Sequence, residues 1–182
     1  MGGPRKQKKK YITPGHPWQK DRLSEELRLM GQYGLRSKRE LWRIRTQLTR
    51  YRSQARKLLA LPTEELKQRE LALINHLTNL GVLRTDATID DVFSLETEDF
   101  LKRRLQSIVF SKGLATTIYH ARQLITHRHV AVRERIVTCP SYLVSQEEEE
   151  HISYTASSPL IVKDHPSRPR PKASVIGQVE ED

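Results

Sequence analysis

An α+β fold, helical over most of its length and closing in a small mixed unit, is predicted by three observations. Apolar residues recur at helical spacing from Asp21 to about Leu80, two more helical patterns follow from Thr97, and period-two alternation appears only after His127. At 36% hydrophobic and 30% charged, the 182 residues can bury one or two small cores rather than the large core of a single-domain enzyme. The pattern divides the chain into an arm (1–20), a helical region (21–96), a small α+β unit (97–145) and a polar tail (146–182).

The arm, MGGPRKQKKKYITPGHPWQK, combines three prolines, six basic residues and two aromatics, and cannot bury enough apolar surface to fold alone. Basic arms of this kind run along phosphate backbones, so Lys8, Lys9, Lys10 and Trp18 are candidate nucleic-acid contacts, the indole by stacking. The alternative is an unstructured tail.

Leu23, Leu27 and Met30 predict a short helix from Asp21, closed by Gly31 or Gly34. Ser37 with Glu40 forms a capping-box signature for a long helix, Lys38 to about Leu61, where Pro62 stops it. Leu41, Ile44, Leu48, Tyr51, Ala55 and Leu58 step by 3 and 4, which puts all six within about 100° of arc. Opposite that stripe lies one basic rail (Arg36, Arg39, Arg43, Arg50, Lys57), and on one flank a second (Lys38, Arg45, Arg52, Arg56). Trp42 falls between the rails, either packing on the arm or another unit or stacking on nucleic acid.

Thr63 opens a further helix to about Leu80, with Leu66, Leu73, Ile74, Leu77 and Leu80 on one face and Gly81 past its end. Thr88 to Asp91 starts a short turn near Val92 and Phe93. From Thr97 a helix carries Phe100, Leu101, Leu105, Ile108 and Val109 up to a glycine turn at Ser111-Lys112-Gly113. A second runs from about Thr117 to Thr126 with Arg122, Gln123 and His127 outward. Short strands follow at His129–Val132, around Ile136-Val137 and at Pro140–Val144. Two helices on a short bent sheet would gather Arg103, Arg104, Lys112, Arg122, Arg128, His129 and Arg133 near one surface.

Charge is segregated: +13 over residues 1–60, −6 over 61–101, +7 over 102–144 and −4 from Ser145, for a net +10. Two basic blocks suit a polyanion touched at two places, since each phosphate contact releases condensed counterions. A single cysteine, Cys139, excludes an internal disulfide and a cysteine zinc site; beside Pro140 it reads as a small apolar filler. No apolar run exceeds four residues, far short of a membrane span or signal peptide, so with the single cysteine a soluble, intracellular protein without metal or cofactor is expected.

The order Arg104-Leu105, Lys112-Gly113-Leu114-Ala115, Ala121-Arg122-Gln123-Leu124-Ile125, His127-Arg128-His129-Val130, Val132, Val137 and Pro140-Ser141-Tyr142 closely resembles the S-four RNA-binding domain. With YITPGHPWQK at 11–20, Tyr33-Gly34-Leu35, Lys38–Trp42, Tyr51-Arg52 and Gln54–Leu59, the chain from about Pro4 to Val144 resembles the archaeal and eukaryotic type of the ribosomal protein S-four family. That resemblance implies a primary binder of small-subunit ribosomal RNA at a multi-helix junction, near where the messenger enters. It further implies a place in the cytoplasmic ribosome, a part in subunit assembly and decoding accuracy, and neighbouring small-subunit proteins as partners. The chain lacks the N-terminal cysteine cluster of some bacterial members, and has Thr117-Ile118 where many such domains open the second helix with Ser-Arg. The predicted RNA contacts are Lys8, Lys9, Lys10, Trp18, Arg39, Arg43, Arg45, Arg50, Arg52, Arg56, Lys57, Arg103, Arg104, Lys112, Arg122, Gln123, His127, Arg128, His129 and Arg133.

Two rival classes fit less well. Pseudouridine synthases and a tRNA synthetase carry the same small domain, but each adds a catalytic domain. Here no phosphate-cradling glycine loop, metal-ligand spacing or nucleophile motif accompanies it. A DNA reader would need base-reading side chains on one helix face, where this helix has two rails and a core stripe. His127 and His129, two apart on a predicted strand, are either RNA contacts, buried, or a ligand pair. Glu147 to Glu150 form a solvated acidic loop or a Mg²⁺ chelator. A monomeric, architectural RNA-binding protein remains, the alternative being the RNA-guiding module of a modifying or ribosome-associated factor.

Overall fold

The computed structural model describes residues 9–59, 63–162, 165–166 and 168–169. Its first lobe is built around one long amphipathic helix. Helix α1 (Lys20–Gln32) ends at a left-handed Gly34 (φ +58°), and α2 (Lys38–Leu58) buries the predicted stripe: Leu41, Ile44, Leu48, Ala55 and Leu58 are buried and Tyr51 half-buried. Against it pack α3 (Thr63–Asn79), α4 (Asp91–Ser94) and α5 (Thr97–Lys102), closing a core that includes Leu77, Val92, Phe100 and Leu101. The expected stop at Pro62 and the Leu66 position on α3 lie outside the described residues or side chains, as does the tail from residue 170.

The single helix predicted from Thr97 to Val109 is broken. Arg104 adopts an extended backbone (φ −70°, ψ 141°) between α5 and α6 (Leu105–Ser111), and the break separates the two cores. Its cause is a competing partner: residues 140–144 run antiparallel beside it, with Leu105 N donating to Tyr142 O (2.8 Å) and Val144 N to Arg103 O (3.0 Å). The stretch expected to be a third strand therefore serves as a splint.

The second lobe packs α6 and α7 (Ile118–Thr126) on a three-stranded antiparallel sheet, ordered β2 (Arg135–Ile136), β1 (Val130–Val132), β3 (Ile152–Tyr154). Thr117 caps α7 as its side chain accepts from His120 N (3.0 Å). Central β1 is buried at all three residues, so no burial alternation is seen along it. The expected tail from residue 146 is instead folded in. Helix α8 (Gln146–Glu150) leads into β3, Ile152 is buried, and a 3-10 turn (Pro159–Ile161) buries Leu160 in the second core. The flanking acidic and proline-rich composition hid these two apolar anchors.

A polar seam joins the lobes. Buried Gln106 donates from Nε2 to the carbonyls of Gly34 and Ile118, both at 3.0 Å. A Cβ at Gly34 would lie 2.7 Å from that nitrogen, so both the left-handed backbone and the close approach require glycine. The Ser37–Glu40 capping box does not form: Ser37 makes no side-chain cap, and the Glu40 carboxylate is instead engaged at the seam by Arg104 and Arg122.

Candidate nucleic-acid interface

The two basic rails of α2 have different fates. Arg39, Arg43, Arg50 and Lys57, with Arg36 just before the helix, are exposed and make no hydrogen bond or ion pair to any described residue. The flanking rail is largely engaged by protein acceptors, although Arg56 stays exposed. Lys38 and Arg45 approach Glu26 at 3.2 and 3.9 Å, Arg52 NH2 donates to Leu95 O (2.6 Å), and Arg56 Nε donates to Arg52 O (3.3 Å). Arg52 thereby ties α2 to the end of α4, and Arg45 is partly engaged by Glu26.

Glu26 anchors the arm. Burial alone would push its carboxyl up, but the Trp42 indole (3.0 Å), Lys38 and Arg22 outweigh that and hold it below the usual carboxylate range. Arg22 also donates to the carbonyls of His16 (2.6 Å) and Pro17 (2.9 Å), while Tyr11 lies against Trp42 with ring centroids 6.0 Å apart. Ile12 N donates to Thr46 Oγ1 (3.0 Å). Of the two readings of Trp42, packing against the arm is the one adopted. The arm is thus laid along α2 with Lys9 and Lys10 exposed and the Trp18 indole 88% exposed. Lys8 lies outside the described residues.

In the second lobe the expected surface cluster is partly dismantled. Arg104 is 1% exposed and donates from NH2 to Glu40 Oε2 (2.6 Å), which removes it from any RNA-facing surface. Arg122 donates to both Glu40 oxygens (2.8 and 3.2 Å) and Arg103 to Glu149 (2.5 Å) and Val144 O (3.1 Å). These arginines neutralise acceptors that folding would otherwise leave bare. Burial would raise the Glu40 carboxyl, yet the hydrogen bonds from Arg122 and Arg104 keep it below its ordinary value. Lys112 donates to the carbonyl of Glu149, and Arg133 pairs with the exposed Glu147 (2.7 Å).

Gln123, His127 and Arg128 are exposed at the end of α7. His127 and His129 are not strand neighbours: Arg128 between them is left-handed (φ +66°) and their rings stack, centroids 6.4 Å apart. His129 is half-buried and its Nδ1 lies 3.0 Å from Ser158 Oγ. At the β1–β2 turn, Arg133 (φ +48°) and Glu134 (φ +68°) are left-handed as well. Glycine or asparagine suits such positions best, so Arg128 and Arg133 keep cations at the surface at a conformational cost.

Among the described residues no group of three or more His, Cys, Asp or Glu could hold a metal ion. Glu147–Glu150 form α8, capped reciprocally by Ser145 and Glu148, rather than a loop. Cys139 is exposed beside Ser141 Oγ (3.3 Å), so it fills no core. Gln106, which holds the seam, is a residue that the sequence marks only as a polar side chain among Leu105, Ile108 and Val109.

The S4 domain model matches residues 103–150, beginning at the break between the two cores. Over 163 residues the chain is 55% identical to small ribosomal subunit protein uS4 of Ignicoccus hospitalis, covering 90% of this chain and 98% of that protein. The chain belongs to the uS4 family. Its likeness to the uS4 proteins of Hyperthermus butylicus (53% over 159 residues, 87% of this chain and 90% of that one) and Saccharolobus solfataricus (51% over 159 residues, 87% and 88%) spans both lobes. As a uS4 family member it is a structural protein of the small ribosomal subunit, and the long helix is as much part of the family likeness as the S4 domain.

Proposed function

We propose that this uS4 family protein braces a multi-helix junction of small-subunit ribosomal RNA, gripping it with one patch on each lobe. The first patch is Lys9, Lys10, Trp18, Arg39, Arg43, Arg50, Arg56 and Lys57, with Lys8 and the half-occupied Arg45 at its margins. The second is Lys112, Gln123, His127, Arg128 and Arg133, with His129 behind them. The observation that carries this reading is the contrast in pairing. Arginines at the seam are neutralised internally, while the exposed rail of α2 and Arg128 at the end of α7 keep cations without side-chain partners among the described residues, and Lys112 and Arg133 each touch only one surface acceptor.

Folded RNA hides its major-groove base edges, so a junction is held through phosphates, 2′-hydroxyls and shape. Arginine suits that task because its planar fork bridges two phosphate oxygens. The Gln106 and Glu40 contacts hold the lobes together, so the two patches act as jaws of set spacing that offset repulsion between converging backbones. No bond is made or broken. Neighbouring small-subunit proteins complete its contacts in the cytoplasmic ribosome, with one copy acting in each subunit and aiding assembly.

Two charge-reversed double variants test this: Arg39→Glu with Lys57→Glu, and Lys112→Glu with Arg128→Glu. Each is expected to weaken binding of a small-subunit ribosomal RNA transcript and to flatten the salt dependence, by about 0.7–0.9 log units for each phosphate no longer neutralised. Unchanged binding by both variants at cellular ionic strength refutes the two-patch grip.

A further inference from the structure

We propose that the cleft between the N-terminal arm and α2 takes one unstacked nucleotide, its phosphate among Lys10, Arg43 and Arg50 and its base edge against the carboxamides of Gln47 and Gln54. This rests on the RNA-binding reading above and names a single-nucleotide pocket within it. The cleft is about 480 Å³ and is lined by these five residues and Tyr51. That volume lies in the range of small-ligand sites, about 300–1,000 Å³.

Three features separate it from a merely basic surface. Its cations are uncommitted: Lys10, Arg43 and Arg50 have no hydrogen bond or ion pair to any described residue, and no carboxylate lines the cleft. Its wall is fixed. Tyr51 stacks on buried Phe100 (centroids 5.7 Å apart, planes 11° apart), and its hydroxyl sits between Gln47 Nε2 (3.3 Å) and His76 Nε2 (3.1 Å). Finally, the cleft mixes charge with amides. Gln47 keeps its carbonyl oxygen free and Gln54 has no hydrogen-bond partner among the described residues, so a donor and acceptors stand one turn of helix from the arginines.

Phosphate needs no carboxamide, whereas a base edge presents donors and acceptors side by side and is reachable in RNA only where the base is unstacked. Lys10 completes the pocket only because the arm is docked through Ile12 and Tyr11. The site is therefore shared between two segments far apart in sequence.

The test uses the full-length protein and an in vitro transcript of small-subunit ribosomal RNA from the same source, with affinity measured against salt and base edges probed chemically. Wild type is expected to protect one unpaired base. Gln47→Leu with Gln54→Leu should lower affinity about tenfold, leave the salt slope unchanged and restore reactivity at that base alone. Arg43→Ala with Arg50→Ala should instead flatten the slope by about one phosphate contact. If the glutamine variant changes neither affinity nor any base's reactivity while the arginine variant binds poorly, the pocket is only a phosphate contact and this inference fails, with the broader reading intact. If wild type does not bind the transcript at all, both fail.

Discussion

Glu40, in the first turn of α2, accepts a 2.6 Å hydrogen bond from Arg104, a guanidinium buried where the two lobes divide. Arg122 from α7 shares the same carboxylate. One acidic side chain thus serves two cations from the other lobe, and removing it costs more than removing either arginine.

That asymmetry is measurable. Glu40→Ala leaves two guanidinium groups facing each other at the seam and is expected to lose about 3 kcal/mol by denaturant unfolding. Arg104→Met keeps the buried volume, leaves Glu40 paired with Arg122, and removes a guanidinium whose Nε and NH1 are buried without partners. Its cost should stay below about 1 kcal/mol. Equal losses in the two variants contradict the shared-carboxylate account.

Acid should loosen the protein through the same groups. Glu26 and Glu40 are both held below their ordinary value of 4.5, so the folded state favours their ionised forms. Their contribution is fully present above about pH 4.5 and is lost as pH falls through their lowered folded-state values. Stability of the double variant Glu26→Gln, Glu40→Gln should therefore be lower at neutral pH and vary less across the acid limb. An acid limb as steep as wild type excludes these two carboxylates as its source.

The helices and the core stripe of α2 were legible because 3.6-residue periodicity reports burial directly, and six residues from Leu41 to Leu58 share one arc. The seam was not. Helical spacing continues from Phe100 through Leu105, and nothing local marks Arg104 as extended; the splint that breaks the helix comes from residues 140–144. Strand β3 was masked because Ile152 stands alone between a glutamate run and polar residues. Counting arginines located the basic blocks but could not separate Arg43 from Arg52, since that distinction depends on which carbonyl or carboxylate the fold brings near.

Arg128 exchanges backbone ease for surface charge. Arg128→Gly relieves the left-handed strain at φ +66° and is expected to raise stability by about 1 kcal/mol while lowering ribosomal RNA affinity and removing about one phosphate contact from the salt slope. Thermal melts paired with salt titrations check both halves. A drop in stability together with unchanged affinity reverses the assignment.

Arm docking depends on Thr46. Thr46→Val retains the shape of a buried side chain but removes the acceptor for Ile12 N, so the Ile12 amide should exchange with solvent about tenfold faster. Global stability should change by about 1 kcal/mol or less. Binding should weaken through Lys9 and Lys10, whose positions the arm sets. Unaltered exchange at Ile12 means that Tyr11 against Trp42 suffices to hold the arm.

Glu40 and Arg122 are 82 positions apart, which matters while the polypeptide is still being made. The first lobe emerges with every fully buried member of its core in hand, Leu101 being the last, while Ile118 and Leu143, which cover that core, follow later. Until α7 appears, Glu40 stays hydrated, and until Leu160 is translated the second core lacks its final plug. The Glu40 carboxylate therefore ties together two stretches of chain made far apart in time, and the two cores meet only after both have been translated.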